Sequence, residues 1–302
     1  MKHFKTITEF HQFVEIPPPL HPLISVVDVA TVPHREVHGP MSMAMNFYSI
    51  SVKRMVNFKV QYGQRPFDFN EGIMSFLSPN QVLKIEVDDK TKVTEKTGWV
   101  IYIHPDFLWN TSLAKTIRDY DFWDYSLNES LFLSEKEEAM INSIMQNISE
   151  EYQANIDKFS KNIIISQLET LLRYSDRYYH RQFITREKSN HQTVQKVENL
   201  LLNYFNNDEL TSAGLVSVAY LADAMNLSPK YLSTLLKVQT GMNAQQHIHE
   251  KLIEKAKEKL SASELSVSEV AYSLGFEHLP SFSKFFKAKT NQSPLEFRAA
   301  FN

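Results

Sequence analysis

The side chains of this sequence that could bind a metal ion or act as a nucleophile are few and poorly spaced. The chain of 302 residues has no cysteine, which excludes thiol catalysis, thiolate zinc sites and a disulfide scaffold. The histidines His247 and His249 fall in a segment with helical periodicity, where residues two apart point about 200° away from each other. His34 and His38 are four apart, but a proline and a glycine enclose them too tightly for a helix. Glycine-rich phosphate loops and a serine nucleophile elbow are also absent from the sequence.

A different chemistry, hydrogen bonding and ionic contact by lysine and hydroxyl side chains, recurs on two segments near the C-terminus. Three leucines in residues 232–241 and three phenylalanines in residues 282–291 recur at i, i+3 and i+4, which predicts two helices with one buried face each. Short polar and cationic side chains on a helix can reach base edges and phosphates from the major groove. The candidate contacts are Lys230, Tyr231, Ser233, Thr234 and Lys237 in the first helix, and His278, Ser281, Lys284 and Lys287 in the second.

These two helices belong to an internal repeat. The stretch "LADAMNL" (221–227) corresponds to "VAYSLGF" (270–276), and each copy precedes one of the two helices. Ala222 and Ala271 permit a close crossing of two helices, while Asn226 and Gly275 tolerate the left-handed backbone that ends a helix. Each copy therefore has the elements of a helix-turn-helix. A single amphipathic helix is more often an ordinary solvated surface, but two tandem copies of the same turn weaken that alternative.

The overall charge is unfavourable to a nucleic-acid partner, but the local charge is not. The formal net charge is −3, whereas nucleic-acid-binding domains are often strongly basic. Between Glu277 and Glu296 the chain carries Lys284, Lys287 and Lys289 and no acidic residue. The positive charge is thus concentrated on the proposed contact helix. We expect moderate affinity and a modest salt dependence.

Residues from about 193 to 302 resemble the DNA-binding domain of the AraC/XylS family of bacterial transcription regulators. The resemblance is carried by "LADAMNLSPKYLSTLLKVQTG", "EKAKEKL", "SVSEVAYSLGFEHLPSFSKFFKAKT" and "SPLEFR". It implies two helix-turn-helix units joined by a linker helix at about 244–260, with recognition helices that enter successive major-groove segments. It also implies that the N-terminal half is a cupin-like β-barrel followed by helices, used for effector sensing and dimerisation.

The N-terminal half has the sequence patterns of short strands followed by helices. Residues 49–62 and 82–88 alternate apolar and polar side chains, and residues 98–108 hold a short apolar run, which together indicate a sandwich or small barrel. From Ser134 the period becomes helical, starting with the capping box "SEKE", and a second helix is expected from Asp157. The apolar stripe of that second helix is either a dimer seam or a cover for the barrel; it consists of Ile164, Leu168, Leu171 and Leu172.

The predicted fold class is α+β, in three parts. Residues 1–182 form the N-terminal domain, with the barrel at about 20–130 and a helical hairpin at about 134–182. The polar, aperiodic residues 183–192 are a linker, and residues 193–302 form the all-α DNA-binding domain. Side chains near the strands that could line an effector pocket, or simply fill the barrel core, are Tyr48, Phe58, Phe76, Tyr102 and His104.

The function expected from these features is sequence-specific DNA binding by a transcription regulator that is not an enzyme and needs no cofactor. The alternative is a cupin-type small-molecule-binding protein or metal enzyme with an accessory helical domain, although the barrel region has no His-x-His pair. The expected partners are duplex DNA, a small-molecule effector, a second copy of the chain and RNA polymerase. No signal peptide or membrane span is evident, so the expected location is the cytoplasm.

Overall fold

The chain divides into two compact units, Met1–Gln182 and Phe183–Asn302. The computed structural model describes residues 1–33, 41–56, 59–62, 65–68, 72–87, 95–154, 157–185, 187–206, 214–262 and 264–300. Within these ranges, no helix is both long enough and apolar enough to cross a bilayer.

The N-terminal unit contains two five-stranded sheets. Its strands are β1 (Lys2–Phe4), β2 (Ile24–Asp28), β3 (Met41–Met45), β4 (Tyr48–Val56), β5 (Lys59–Tyr62), β6 (Arg65–Asp68), β7 (Ile73–Leu77), β8 (Leu83–Val87), β9 (Glu95–Ile103) and β10 (Leu131–Phe132). The order is β1-β3-β8-β5-β6 in the first sheet and β10-β7-β4-β9-β2 in the second. The β-rich N-terminal region expected from the alternating patterns is therefore confirmed.

Most of the remaining regular structure in the described ranges is α-helical. The N-terminal unit has α1 (Ile7–Val14), the short α2 (Leu113–Thr116), α3 (Glu135–Gln153) and most of α4 (Ser160–Thr185). The C-terminal unit has α5 (Glu187–Asn206), α6 (Val218–Met225), α7 (Pro229–Thr240), α8 (Ala244–Ala262), α9 (Val267–Ser273), α10 (Leu279–Thr290) and α11 (Pro294–Ala299). The α+β class and the all-α C-terminal unit are as predicted.

The two faces of the second sheet differ in polarity. Successive residues of a strand point to opposite faces, so cross-strand partners identify each face. One face carries apolar side chains such as Ile50 and its partner Phe76, which are 0% and 3% exposed. The opposite face carries the buried Ser25, Ser49 and Ser51 together with buried apolar side chains such as Val100 and Ile73. A buried serine face is unusual, because a sheet that packs against a core normally buries apolar side chains.

Helices α3 and α4 contact the apolar face of the second sheet. The capping box predicted at Ser134 starts α3, and Glu138 in its first turn pairs with Arg54 of β4, with 2.5 Å between Oε2 and Nη2. In α4, the hydroxyl of Ser175 lies 3.5 Å from the sulfur of Met74 in β7. These contacts lie within the N-terminal unit and bind the helices to the sheet.

The apolar stripe of α4 is already buried within a single chain. Its four members are at most 5% exposed: Ile164, Leu168, Leu171 and Leu172. Of the two alternatives left open by the sequence, the structure therefore favours covering of the sheet over an exposed dimer seam. The helix begins at Ser160 rather than Asp157, because Asp157 Oδ1 accepts the backbone N–H groups of Phe159 (2.7 Å) and Ser160 (3.0 Å) and so caps the first turn.

The segment predicted as a linker is mostly helical. Helix α4 continues to Thr185 and α5 starts at Glu187, while residue 186 lies outside the described residues. The lack of apolar periodicity in 183–192 was the basis of the linker prediction. It indicates only that this stretch has no continuous apolar stripe, because Glu, Lys and Gln are good helix formers without one. Residues 183–185 and 187–192 are therefore helical, whereas the division of the chain into 1–182, 183–192 and 193–302 stays a prediction.

The helices of the C-terminal unit share one hydrophobic core. Leu232 of α7, Leu252 of α8 and Phe282 of α10 belong to the same cluster of buried side chains. Helix α8 occupies the position predicted for the linker helix between the two repeats. Because both repeats contribute to one core, they are held in a fixed arrangement with respect to each other.

Candidate nucleic-acid interface

The two copies of the repeat have the same turn geometry. Asn226 follows α6 with φ +53°, and Gly275 follows α9 with φ +84°, both in the left-handed region. In the first turn the N–H of Leu227 donates to the carbonyl of Ala222 over 2.9 Å. In the second, the N–H of Phe276 donates to the carbonyl of Ala271 over 3.1 Å. These hydrogen bonds join corresponding residues, so the repeat seen in the sequence is a structural repeat of the helix-turn-helix.

The glycine of the second turn is also required by a close backbone approach. A Cβ atom placed on Gly275 would lie 2.9 Å from the carbonyl carbon of Gly214 and 3.1 Å from the nitrogen of Leu215. Real Cβ atoms do not approach backbone so closely, so a side chain here would push two chain segments apart. The turn of the second helix-turn-helix therefore packs directly against residues 214–215, which lead into the first helix-turn-helix of the same C-terminal unit.

Each recognition helix starts differently. Ser228 caps α7, its hydroxyl accepting the N–H of Tyr231 over 3.2 Å, and Pro229 occupies the first helical position. Helix α10 starts after His278, which makes no side-chain cap, and Pro280 lies in its first turn. Since proline fixes φ at a helical value, Pro280 orders the start of α10 in place of a cap.

Helix α10 presents its cations opposite its buried face. Phe282 and Phe286 are fully buried. At about 100° per residue, Lys284 points roughly 160° away from each of these rings. Ser281 and Lys287 lie roughly 60° to either side of Lys284. All three side chains are exposed, and so is His278, so the predicted contacts of this helix form one accessible face.

Helix α7 has a narrower contact face than predicted. Lys230 and Lys237 are exposed and Thr234 is half-buried, and all three lie opposite the leucines that fill the core. Ser233 lies at the edge of this face, where its hydroxyl accepts the N–H of Ala244 over 3.4 Å at the start of α8.

Tyr231 does not belong to the exposed face. The side chain is 7% exposed, and its ring centroid lies 5.0 Å from that of Phe183. The sequence predicts Tyr231 as one of the DNA contacts of this helix. One residue is about 100° of rotation, which carries Tyr231 from the solvent side into the core. In the structure, Tyr231 is a buried side chain that stabilises the C-terminal unit by packing against Phe183.

Lys289 extends the positive charge along the side of α10. It is exposed, and together with Met242, Gln246 and Ile253 it lines a cleft of about 510 Å³ beside α8. Burial and the positive charge of Lys289 lower the pKa of His249, which also lines this cleft. Lys289 was counted in the lysine cluster of the sequence but not among the contacts. Its position about 140° from Lys284 explains why it lies off the main face.

The predicted pocket residues do not form one site. Tyr48 and Phe76 lie on the helix-facing side of the second sheet, where both rings contact Trp123 at centroid distances of 4.8 and 5.4 Å. Tyr102 is on the opposite side, against Phe10 at 5.1 Å. The cause of this separation is the strand period of two, since Tyr102 pairs with Ser49 and not with Tyr48.

The remaining two pocket candidates are not part of either group. Nδ1 of His104 accepts the N–H of Asp106 over 3.3 Å and caps the turn that follows β9. Phe58 lies outside the described residues. Of the described candidates, Tyr48 and Phe76 therefore lie in an aromatic cluster on one face of the sheet and Tyr102 on the other, and a role of any of them in effector binding stays a prediction.

The histidines considered for metal binding are otherwise engaged or lie outside the described ranges. His247 is buried, with its Nε2 atom 2.8 Å from the hydroxyl of Thr240, whereas the ring of His249 contacts Phe285. His34 and His38 lie outside the described residues. Among the residues that are described, no group of three His, Asp or Glu side chains could hold a metal ion.

The similarities to known proteins fall in the same part of the chain, the C-terminal unit. Residues 221–300 match a family model described as "Helix-turn-helix domain". The HTH-type transcriptional activator RhaS of Escherichia coli O9:H4 (strain HS) is 37% identical over 78 residues, which cover 26% of this chain and 28% of RhaS. The matched region therefore spans little more than a quarter of that relative.

Solved structures also align with about a third of the chain. The C-terminal domain of the response regulator yesN from Fusobacterium nucleatum is 26% identical, with a TM-score of 0.32, and covers 35% of this chain and 98% of its own. The DNA-binding domain of AdpA, a global transcriptional factor solved in complex with a target DNA, is 23% identical, with a TM-score of 0.31, and covers 35% of this chain and 91% of its own.

The sequence motifs, the paired turns and the matched family model all concern the same residues. The matched family model describes a helix-turn-helix domain, and the similar curated protein is a transcriptional activator. It covers both helix-turn-helix units, the linker helix between them and the C-terminal helix. Residues 221–300 match the helix-turn-helix family, and over 78 residues this chain is similar to transcription activators such as RhaS.

Proposed function

We propose that the whole chain is a transcription regulator that binds specific duplex DNA through its two helix-turn-helix units. The observation that carries this proposal is the cationic and hydroxyl face of α10, centred on Lys284 and diametrically opposite the buried Phe282 and Phe286. A helix held down by its apolar side and exposed on a cationic side fits the major groove. Helix α7 repeats the arrangement with Lys230 and Lys237.

The two units would divide the reading of the site between them. In α10, Lys284 projects furthest and reads a base edge, while Ser281 and Lys287 flank it. In α7, where Tyr231 is buried, base reading falls to Thr234 and the two lysines. The exposed faces of α7 and α10 carry no Arg, Asn or Gln, the side chains that form two hydrogen bonds with one base. The preference for one base over another at each position of the DNA site is therefore expected to be modest.

We also propose that the N-terminal unit supplies effector binding and self-association. The two sheets would form a cupin-like barrel, and a second copy would complete a homodimer. The buried serine face of the second sheet supports a ligand-binding interior, since polar side chains would otherwise not be placed there. An effector would control DNA binding by having different affinities for two arrangements of the protein. Such a regulator would act in the cytoplasm, where it meets the chromosome.

Selection from random duplex DNA with the full-length chain tests the proposal. We expect enrichment of sites with two conserved segments about one helical turn apart, one for each recognition helix. The two faces of one chain carry four lysines. Because each phosphate contact contributes about −0.9, the slope of log affinity against log salt should be no steeper than about −3.6 for each bound copy of the chain. Enrichment of no sequence at low salt, or affinity independent of salt, would contradict DNA binding through these faces.

A further inference from the structure

The serine face of the second sheet has a positively charged end. Lys53 follows Ser49 and Ser51 on the same side of β4. Its cross-strand partners are Gly98 of β9, which has no side chain, and the buried Ile73 of β7. Lys96 lies two residues before Gly98 in β9, so its side chain leaves the sheet on the side of Lys53. Two ammonium groups therefore share one end of this face, and both side chains are only partly exposed.

Neither lysine is neutralised by a carboxylate in the described part of the chain. The ammonium of Lys96 donates to the backbone carbonyl of Val32, and Lys53 has no hydrogen bond or ion pair there. Burial, followed by the charge of Lys96, lowers the pKa of Lys53 to about 8. Burial also lowers the pKa of Lys96. The two cations thus repel each other in a setting that water screens poorly.

Two hydroxyl groups lie beside this charged end. The oxygen atoms of Ser51 and Ser75 are 2.7 Å apart across the β4–β7 pair. One of the two hydroxyls must donate to the other, so one O–H proton of the pair remains to be donated elsewhere. Val100, the cross-strand partner of Ser51 in β9, is buried next to them and keeps the surroundings apolar.

We propose that this end of the sheet binds a small oxyanion, a carboxylate or phosphate group, held by Lys53, Lys96 and the Ser51–Ser75 hydroxyl pair. An oxyanion would supply an acceptor for Lys53, for the donor positions of Lys96 that do not face the carbonyl of Val32, and for the remaining O–H. Charge-assisted hydrogen bonds of this kind are stronger than those between neutral groups. The site is not among the aromatic residues considered for a pocket. Binding can be tested by itself, whereas its use as an effector site rests on the proposed function.

The neighbouring residue of the same strand faces the helices. Arg54 leaves the opposite side of β4 and pairs with Glu138 of α3, and the adjacent Glu137 pairs with Arg181 of α4, with 2.7 Å between Oε2 and Nη2. A displacement of β4 on anion binding would therefore reach both helices through two ion pairs. This connection gives the site a route by which occupancy could be sensed.

Titration calorimetry of the full-length chain tests the site, with inorganic phosphate, acetate and succinate as probes and glucose as a neutral control. We expect saturable binding of at least one anion and none of glucose. Lys53→Met and Lys96→Met should each weaken binding at least tenfold. Lys136→Met is the matched control, because Lys136 is an exposed lysine on α3 of the same unit, and it should leave binding unchanged. Phosphate binding without carboxylate binding, or the reverse, identifies the group.

Thermal unfolding guards against a variant that simply fails to fold. Without an anion, Lys53→Met should unfold at a higher temperature than the wild type, since it removes an unpaired cation from a poorly solvated position. With the anion, only the wild type should be stabilised. Absence of saturable binding, or equal binding by Lys53→Met and the wild type, would overturn the site. That result would leave the DNA-binding proposal intact, because DNA selection is measured independently.

Discussion

Replacing Gly275 with alanine should destabilise the C-terminal unit more than the same change at Gly241. Both glycines follow or end a helix with left-handed backbone, at φ +84° and +81°. They differ in their surroundings. A Cβ atom on Gly275 would lie 2.9–3.1 Å from backbone atoms of Gly214 and Leu215, whereas one on Gly241 would meet nothing within 4 Å. The pair therefore separates the cost of backbone conformation from the cost of a close approach.

The expected magnitudes follow from these two costs. Alanine in the left-handed region costs roughly 1–2 kcal/mol, and about 0.4–1 kcal/mol is recovered because alanine restricts the unfolded chain. Gly241→Ala should thus lower the free energy of unfolding by about 0.5–1 kcal/mol. Gly275→Ala must in addition move backbone, which costs about 1–3 kcal/mol at overpacked sites. We expect a loss of about 2–4 kcal/mol for Gly275→Ala.

Urea unfolding monitored by circular dichroism at 222 nm would measure the difference in the full-length chain. Tryptophan fluorescence supplies an internal control, because Trp99, Trp109 and Trp123 all lie in the N-terminal unit. Its transition should stay in place in both variants. DNA affinity should also fall for Gly275→Ala, since the turn positions α10. Equal losses of stability for the two variants, within about 0.5 kcal/mol, would refute the argument from close approach.

Three further perturbations test other parts of the structure. Lys284→Ala should weaken binding to the selected site by about 1–3 kcal/mol and relax preference at one base pair; a uniform loss across sequences in a competition assay would make it a phosphate contact instead. Leu168→Ala should destabilise the N-terminal unit by about 2–5 kcal/mol in tryptophan-monitored unfolding; dissociation into stable monomers in sedimentation experiments would show that the α4 stripe is a dimer seam after all. The pKa of Glu296 is lowered, first by the backbone N–H of Ser293, so its contribution to stability is present above its ordinary pKa and lost as the pH falls through the lower folded value. Glu296→Gln should remove that acid-side loss in pH-dependent unfolding, and an unchanged profile would contradict it.

The C-terminal domain was predictable because its signals are local in sequence. The left-handed turns at Asn226 and Gly275 and the cap at Ser228 are each set by residues within one helical turn. Phe282 and Phe286 reveal their burial through spacing alone. Features of this kind can be predicted from a short segment of sequence, and the internal repeat shows the same pattern twice.

The incorrect or incomplete predictions concern residues whose surroundings come from distant parts of the chain. Tyr231 is polar at its tip and lies beside Lys230, but it is buried and its ring packs against that of Phe183, 48 residues earlier in the chain. Tyr48 and Tyr102 were grouped as pocket candidates, yet the register of β4 and β9 places them on opposite faces. Strand register depends on pairing between residues more than 40 apart, which a pattern within one segment does not contain.

The hydrophobic core shared by the two helix-turn-helix units also restricts the spacing of the DNA segments that the chain could bind. The turn at Gly275 packs against Gly214, and α7, α8 and α10 contribute to one hydrophobic cluster. The distance and the orientation between α7 and α10 are therefore fixed. One base pair inserted between the contacted segments would shift the second by about 3.4 Å and roughly 34°. DNA, and not the protein, would have to twist to restore both contacts. The spacing of an operator should therefore be constrained as tightly as its bases.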